Sequence, residues 1–125
     1  SPENGQANRD LAWSYYFLGE AYLADGKHNV GLDTLEQGVA IIQDRCVADS
    51  TDARTRKDVP LYLGKYVYNC GELGFHDRAK KTCYNVLLVL QPVVESNPMN
   101  YALAEMYVNL QKLHDEIGQV ATANQ

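Results

Sequence analysis

The chain has 125 residues and a mass of 14.0 kDa, which is enough for one domain with a single hydrophobic core. Hydrophobic residues make up 46% and charged residues 22%, and this composition excludes a wholly disordered chain and a coiled-coil rod. With 16 acidic and 11 basic side chains the formal net charge is -5, which argues against nucleic-acid binding because a duplex requires a concentrated basic face.

Two helices are predicted in the N-terminal part of the chain, where apolar residues recur at spacings of three and four. The first helix ends at Gly26, and the second, capped by Asn29, continues to about Cys46. Because the connection between them is short, we expect the two helices to pack as antiparallel neighbours. Residues 9–47 are therefore predicted to form a helix-turn-helix unit, which we call repeat one.

The middle of the chain is predicted to contain a loop and a second helix pair. Residues 48–58 carry no large apolar side chain, which is typical of a surface loop. Pro60, a residue favoured in the first turn of a helix, then opens a third helix that ends by Gly74. Asp77 caps a fourth helix, which ends near Pro92 or one turn later.

The predicted elements add up to an all-α fold. Residues 59–96 form repeat two, and a fifth helix over residues 98–118 closes the array as a capping helix. The small polar ends, residues 1–8 and 119–125, are predicted to be flexible tails. No segment shows strict apolar and polar alternation bounded by turn residues, so no strand is predicted.

An internal repeat supports this division into units. When the chain is shifted by 48 positions, both copies read Gly-x-His-[Asn/Asp]-x-[small]-x-x-Thr, one from Gly26 and the other from Gly74. The glycine closes one helix, the Asn or Asp caps the next, and the small residue allows the two helices to approach closely. The pattern therefore indicates two duplicated helix-turn-helix units.

The first unit resembles a known repeat family. Residues 18–26 read Leu-Gly-x-x-Tyr-x-x-x-Gly and resemble the Leu-Gly-x-x-Tyr and turn-glycine signature of tetratricopeptide repeats. In the second unit Val67 and Cys70 occupy the places of the Gly and Tyr, and the 48-residue offset exceeds the family's usual length of about 34 residues. The resemblance implies two antiparallel helix-turn-helix repeats and a C-terminal capping helix, wound as a right-handed tetratricopeptide-like superhelix.

A second resemblance concerns the setting of the domain. The order of helix pairs, the Gly-Lys turn and the helical C-terminal end are similar to the soluble repeat region that closes certain bacterial multi-spanning membrane proteins related to glycosyltransferases. It implies a soluble accessory domain of a membrane-anchored bacterial protein. The chain starts without Met or a signal region, as expected of an excised fragment or a processed form, so the N-terminus does not identify the compartment.

Neither a membrane span nor a disulfide framework is predicted. The longest apolar run, residues 86–90, is far shorter than the roughly 20 residues that cross a bilayer, so we expect no direct membrane insertion. The odd number of cysteines, Cys46, Cys70 and Cys83, rules out complete internal pairing. Buried free thiols are favoured, and a bridge between Cys70 and Cys83 is the alternative.

Motifs for catalysis, nucleotide binding and metal binding are absent from the sequence. It contains no Gly-x-Ser-x-Gly elbow, no Gly-x-x-x-x-Gly-Lys-[Ser/Thr] loop and no His-Glu-x-x-His pair. His28 and His76 occupy equivalent turns of successive repeats, so hydrogen bonding within each turn is favoured over joint binding of one ion. We therefore predict a non-enzymatic protein with no cofactor and no metal site.

The nine tyrosines and one tryptophan are the unusual part of the composition. These side chains combine a large contact area with a polar tip, which suits both interfaces and the edges of a core. In the family that the sequence resembles, the first helix of each repeat lines a concave face. That face would here carry Trp13, Tyr16, Phe17, Glu20, Lys65, Tyr68, Glu72, Glu105 and Asn109.

The predicted function is therefore that of a protein-protein interaction module, which binds a peptide or a neighbouring domain on this aromatic face. The alternative for Trp13 and Tyr16 is that they cover the exposed end of a short helix array. A further alternative is a self-associating structural domain, because a short array has two uncapped ends and a homodimer would bury them.

Overall fold

A computed structural model of the chain describes residues 2–123, with side chains described for residues 4–120, and every element in it is a helix. The helices are α1 (Pro2–Ala24), α2 (His28–Ala48), α3 (Ala53–Leu73), α4 (His76–Glu95) and α5 (Tyr101–Ala123). No strand occurs between residues 2 and 123, so the predicted all-α class is confirmed. Within the same range, no helix has the length and apolarity needed to span a membrane.

The predicted loop over residues 48–58 is wrong for most of its length. Helix α3 begins at Ala53, and only residues 49–52 connect it to α2. The side chain of Asp52 accepts a hydrogen bond of 2.9 Å from the N–H of Arg54 and caps the helix. Pro60 consequently lies inside α3 instead of at its start.

The predicted tails are also largely helical. Helix α1 starts at Pro2, a residue suited to the first helical position, and its early turns are tied to α3. Arg54 of α3 donates a hydrogen bond of 2.7 Å to the side chain of Gln6. Helix α5 continues past the predicted end at residue 118 as far as Ala123. Residue 1 and residues 124–125 of the predicted tails lie outside the described residues.

The two turns that the sequence repeat identifies have the same conformation. Gly26 and Gly74 adopt left-handed φ angles of 78° and 81°, as predicted for glycines that close a helix. In both turns the N–H of the next residue bonds to the carbonyl five residues earlier, at 2.9 and 2.8 Å. The capping roles predicted for Asn29 and Asp77 are wrong, because each helix starts one residue earlier and places them in its first turn.

Helices α1 and α2 pack closely through small residues spaced by seven. Gly5, Ala12 and Gly19 of α1 face α2, which presents Gly31 and Gly38 in return. A Cβ atom on Gly19 would lie 3.0 Å from the Gly31 carbonyl oxygen, and one on Gly38 would lie 2.9 Å from that of Ala12. The chain positions of these pairs run in opposite directions, so α1 and α2 are antiparallel and their backbones almost touch.

A polar network joins α2, α3 and α4 around a buried tyrosine. The Tyr66 hydroxyl donates to the Glu36 carboxylate and lies 3.2 Å from the hydroxyl of Thr82. Arg78 donates from Nε to Glu36 at 2.6 Å and also bonds to Asp33. Burial, together with the bond to Glu36, raises the pKa of Tyr66. The network fixes the second helix pair against the first.

The three cysteines are free and buried, as the sequence predicted. Burial raises the pKa of Cys46 and Cys70 to about 11 and that of Cys83 to about 12. Such thiols are protonated at neutral pH and act as small apolar side chains.

The last helix is anchored at its start. The Asn100 side chain accepts a hydrogen bond of 3.0 Å from the Leu103 N–H and so caps α5. Its amide also donates to the Ser50 carbonyl at 3.1 Å, which ties α5 to the turn between α2 and α3. Helix α5 then packs against α4 and α3, so that α3 is flanked by α1 on one side and α5 on the other.

Candidate functional site

The outer side of α3 carries few charges and leaves open space above two glycines. Leu61, Gly64, Tyr68 and Gly71 follow each other at spacings of three and four, so they share one side of the helix, opposite the buried core. We call these four residues the outer stripe of α3. A Cβ atom on Gly64 or Gly71 would meet no atom within 4 Å. Another chain could therefore come close to the α3 backbone at these positions.

A groove of about 500 Å³ runs between α1 and α3, and we call it the N-terminal groove. Its α3 wall includes Lys65 and three residues of the outer stripe, Leu61, Gly64 and Tyr68. Helix α1 contributes two of the predicted residues, Tyr16 and Glu20. The Lys65 ammonium lies 5.4 Å from the centre of the Tyr16 ring, a cation-π distance. The structure thus brings Tyr16, Glu20, Lys65 and Tyr68 together, as the sequence analysis expected.

A second groove, of about 310 Å³, lies between α3 and α5, and we call it the C-terminal groove. The predicted residues Tyr68 and Glu72 line it from α3, and Tyr68 belongs to both grooves. Helix α5 contributes a wall, and the start of α4 closes one side. The residues from these two helices are His76, Ala79, Leu113, Glu116, Ile117 and Val120.

Trp13 and Tyr16 belong to the packing between α1 and α3. Their rings and that of Tyr62 lie 5.1 to 5.6 Å apart, in edge-to-face and tilted arrangements. Trp13 lines neither groove, and Tyr16 is only 9% exposed. Trp13 is half-buried in this packing, so its predicted contact with a partner and the alternative that the two rings cover an end of the array both stay predictions. Their ring contacts lie inside the molecule.

The hydroxyl of Tyr62 fits above Gly38, where a Cβ atom would lie 1.8 Å from it. Among the described side chains, this hydroxyl and the Trp13 Nε1 are buried without a hydrogen-bond partner. Burial raises the pKa of Tyr62. The rings of Trp13, Tyr16 and Tyr62 thus form a packed cluster beside the N-terminal groove, and the position of Tyr62 depends on the glycine in α2.

Phe17 and Tyr68 are the aromatic residues of the predicted face that solvent reaches most, with 69% and 66% of their surface exposed. Phe17 packs edge-on against Tyr16 at 5.5 Å, which places it beside the N-terminal groove. Glu105 and Asn109 are exposed on α5, but neither lines a groove. The predicted face is therefore shorter on α5 than the sequence indicated.

Sequence reasoning missed Leu61, Gly64 and Gly71 on α3, and the α5 wall with Glu116 and Val120. The two glycines, seven residues apart on a helix without a turn between them, were a readable signal. The α5 residues were not, because their position depends on how α5 packs against α3.

The charges around the grooves differ between the two. Glu20 and Lys65 both line the N-terminal groove, whereas Glu72 and Glu116 line the C-terminal groove with no lysine or arginine beside them. Within residues 4–120, none of these three glutamates forms an ion pair. The C-terminal groove is therefore the more negative of the two.

No three His, Cys, Asp or Glu side chains of the described part of the chain are grouped so that they could hold a metal ion. His28 and His76 begin α2 and α4, at equivalent points of the two helix pairs. No protein-family model, curated protein or solved structure matches this chain. The geometry of the grooves therefore carries the functional argument.

Proposed function

We propose that this protein is a non-enzymatic interaction module, which binds a segment of a partner protein along α3, on the face formed by α1, α3 and α5. The observation that carries the proposal is the pair of grooves on either side of α3, which meet at the exposed ring of Tyr68. Clefts lined by apolar and aromatic side chains with a few charges are typical of peptide-binding surfaces.

The side chains divide into supporting and contacting groups. Tyr62, Tyr16 and Trp13 are packed against one another and hold the shape of the face. Phe17 and Tyr68 are exposed and are the contacting residues in this proposal, since exposed aromatic side chains often dominate the affinity of protein interfaces. Gly64 and Gly71 leave room for the partner backbone.

We include the tetratricopeptide-like arrangement in the proposal: two helix pairs closed by α5 and wound into a right-handed superhelix. The identical turns at Gly26 and Gly74 and the antiparallel α1–α2 pair support it. The same face is assigned to binding in both settings that the sequence resemblances imply, a free adaptor or a soluble accessory domain of a bacterial membrane protein.

The test fills the N-terminal groove without disturbing the core. Gly64→Trp projects a ring into open space, and Asn85→Trp places the same ring on an exposed position of α4 as a matched control. Proteins captured by the wild type are identified by mass spectrometry, purified and titrated by calorimetry. We expect Gly64→Trp and Tyr68→Ala each to lower the affinity for a true partner by about tenfold or more, and Asn85→Trp to leave the affinity unchanged. Equal affinity in wild type and both face variants would contradict the proposal.

Self-association is a second candidate, favoured by apolar exposure on another side. Leu11 and Leu18, seven residues apart on α1, are exposed on the side turned away from α3, and Val30 of α2 is exposed as well. A second copy could bury this surface in a two-fold interface. Sedimentation over a range of concentrations tests it, and a monomer at the highest concentration would exclude it.

A further inference from the structure

The C-terminal groove combines an apolar floor with carboxylates from two helices. Val67 of α3, Ala79 of α4, and Leu113 and Ile117 of α5 supply the apolar part. Glu72 and Glu116 are both exposed and line the groove from α3 and α5, respectively. The groove is open to solvent and offers about 310 Å³.

The charge of this groove is unbalanced. No lysine or arginine lines it, and the titratable side chains that line it beside the two glutamates are His76 and Tyr68. Neither glutamate forms an ion pair anywhere in residues 4–120. A matching ligand group must therefore be positive at its end and apolar along its length. Arginine and lysine side chains have this form, since their methylene stems pack on apolar surface while the charged end stays at the rim.

We infer that the C-terminal groove binds an arginine or lysine side chain of the partner segment, with the stem against Leu113 and Ile117 and the cation beside Glu72 and Glu116. This inference rests on the proposed function and adds the chemistry of the partner. The N-terminal groove provides the contrast, because Lys65 there offsets Glu20 and the charge does not select a basic side chain. The two grooves thus define a partner whose basic residue lies on one side of an apolar contact with Tyr68.

The experiment selects peptides without assuming their sequence. A phage-displayed library of random 16-residue peptides is selected on the wild-type chain, and the enriched peptides are synthesised and titrated by calorimetry. The variants are the double substitution Glu72→Gln with Glu116→Gln, the groove-filling Gly71→Trp, and Asp44→Asn as control. Asp44 is an exposed carboxylate on α2 that lines neither groove.

We expect the enriched peptides to share an arginine or lysine next to apolar residues. The double glutamine variant should lower their affinity about tenfold, with a weaker effect at high salt, and Asp44→Asn should change it less than about twofold. Glu116→Lys should recover affinity for a peptide whose basic residue is replaced by glutamate.

Two other outcomes separate this inference from the proposed function. In the first outcome, the Gly64 and Tyr68 variants weaken peptide binding, but the peptides share no basic residue or bind the double variant as tightly as the wild type. This outcome would overturn the inference and leave the proposed function in place. A selection that yields no peptide dependent on Gly64, Tyr68 or Gly71 would overturn both. Circular dichroism of every variant confirms that lost binding does not reflect lost helix.

Discussion

In the α1–α2 pair the glycines Gly19, Gly31 and Gly38 lie between the helices, whereas in the α3–α4 pair Gly64 and Gly71 lie on the outside of α3. The first pair uses the missing side chains to bring two backbones together. The second leaves the missing side chains facing open space beside two grooves. One residue type therefore serves internal packing in one pair and an accessible surface in the other.

The repeat offset of 48 shows how the difference is encoded. The positions equivalent to Gly19, Gly31 and Gly38 are occupied in the second pair by larger residues, which are Val67, Ala79 and Val86. Side chains of this size occupy the space between α3 and α4, where Ala79 and Val86 are buried. The first pair is thus a close-packed scaffold, and the second presents α3 as a surface.

The strongest test of this contrast makes the first pair resemble the second. Gly38→Val introduces the residue found 48 positions later, but its Cβ atom would lie 2.9 Å from the Ala12 carbonyl oxygen and 1.8 Å from the Tyr62 hydroxyl. Because backbone and a buried ring would both have to move, we expect a loss of about 3 kcal/mol in the free energy of unfolding. Urea unfolding followed by circular dichroism measures it, and a loss under about 1 kcal/mol would show that α1 and α2 separate easily.

The second test concerns the contact between the two pairs. Arg9 of α1 holds Asp58 of α3 through two hydrogen bonds of 2.6 and 3.2 Å, and Asp58 is only 3% exposed. The bond to Asp58 raises the pKa of Arg9. Arg9→Met leaves a buried carboxylate without its partner, so we expect the free energy of unfolding to fall by about 2 kcal/mol. The loss is not larger because the Arg9 side chain is 37% exposed and its contact with Asp58 is partly open to water.

Arg54→Met is the matched control for Arg9→Met, since Arg54 is exposed and makes only an exposed hydrogen bond to Gln6 and a longer ion pair of 3.8 Å with Asp52. It should cost less than about 0.5 kcal/mol. Equal losses in the two variants, measured by urea unfolding, would mean that the Asp58 pair does not hold the helix pairs together.

The third test uses pH to compare the pairs. Burial raises the pKa of Cys70 and Cys83 in the second pair to about 11 and about 12, and that of Cys46 in the first to about 11. A raised folded-state pKa means that the thiol's stabilisation is complete below the unfolded value of about 8.5 and is lost as pH rises toward 11 or 12. Between these two pKa values, each thiol should lower the free energy of unfolding by about 1.4 kcal/mol for every unit that the pH rises.

Unfolding in reducing buffer at pH 8, 9 and 10 measures this slope. Replacing Cys70 and Cys83 together by alanine should flatten it by about 1.4 kcal/mol per pH unit more than replacing Cys46 alone. Equal slopes in the two variants would contradict the burial of the second pair's thiols.

Local features were predictable from the sequence, and features set by distant contacts were not. The turns at Gly26 and Gly74 could be predicted because a left-handed glycine is a local requirement. The early start of α3 could not, because residues 53–58 look like a polar loop until Arg9 pairs with Asp58. The residues around Asp58 in the sequence do not indicate that its partner is Arg9, which lies 49 positions earlier in the chain.

The candidate site was predicted only in part. The resemblance to tetratricopeptide repeats implied that Glu20, Lys65 and Tyr68 share one face, and the structure brings the three to the N-terminal groove. The spacing could not tell that Trp13 is turned into the packing, because an aromatic stripe looks alike whether a core or a partner covers it. Its contact with Tyr62, and the fit of Tyr62 over a glycine, depend on three helices at once.

The smallest expected effect tests what the outer glycines are for. Gly64→Ala adds a Cβ atom where nothing lies within 4 Å and should stabilise the protein by about 0.5 to 1 kcal/mol, because alanine favours the helix. Gly19→Ala should destabilise it despite the same propensity gain, since its Cβ atom would lie 2.7 Å from Leu35 and 3.0 Å from the Gly31 carbonyl oxygen. Thermal unfolding compares the two variants. If Gly64→Ala is more stable but binds the selected peptides less well, glycine at this position lowers stability to keep the groove open. If it gains stability and binds equally well, the open space above Gly64 has no part in binding, and Phe17 and Tyr68 remain the contacting residues on this side of α3.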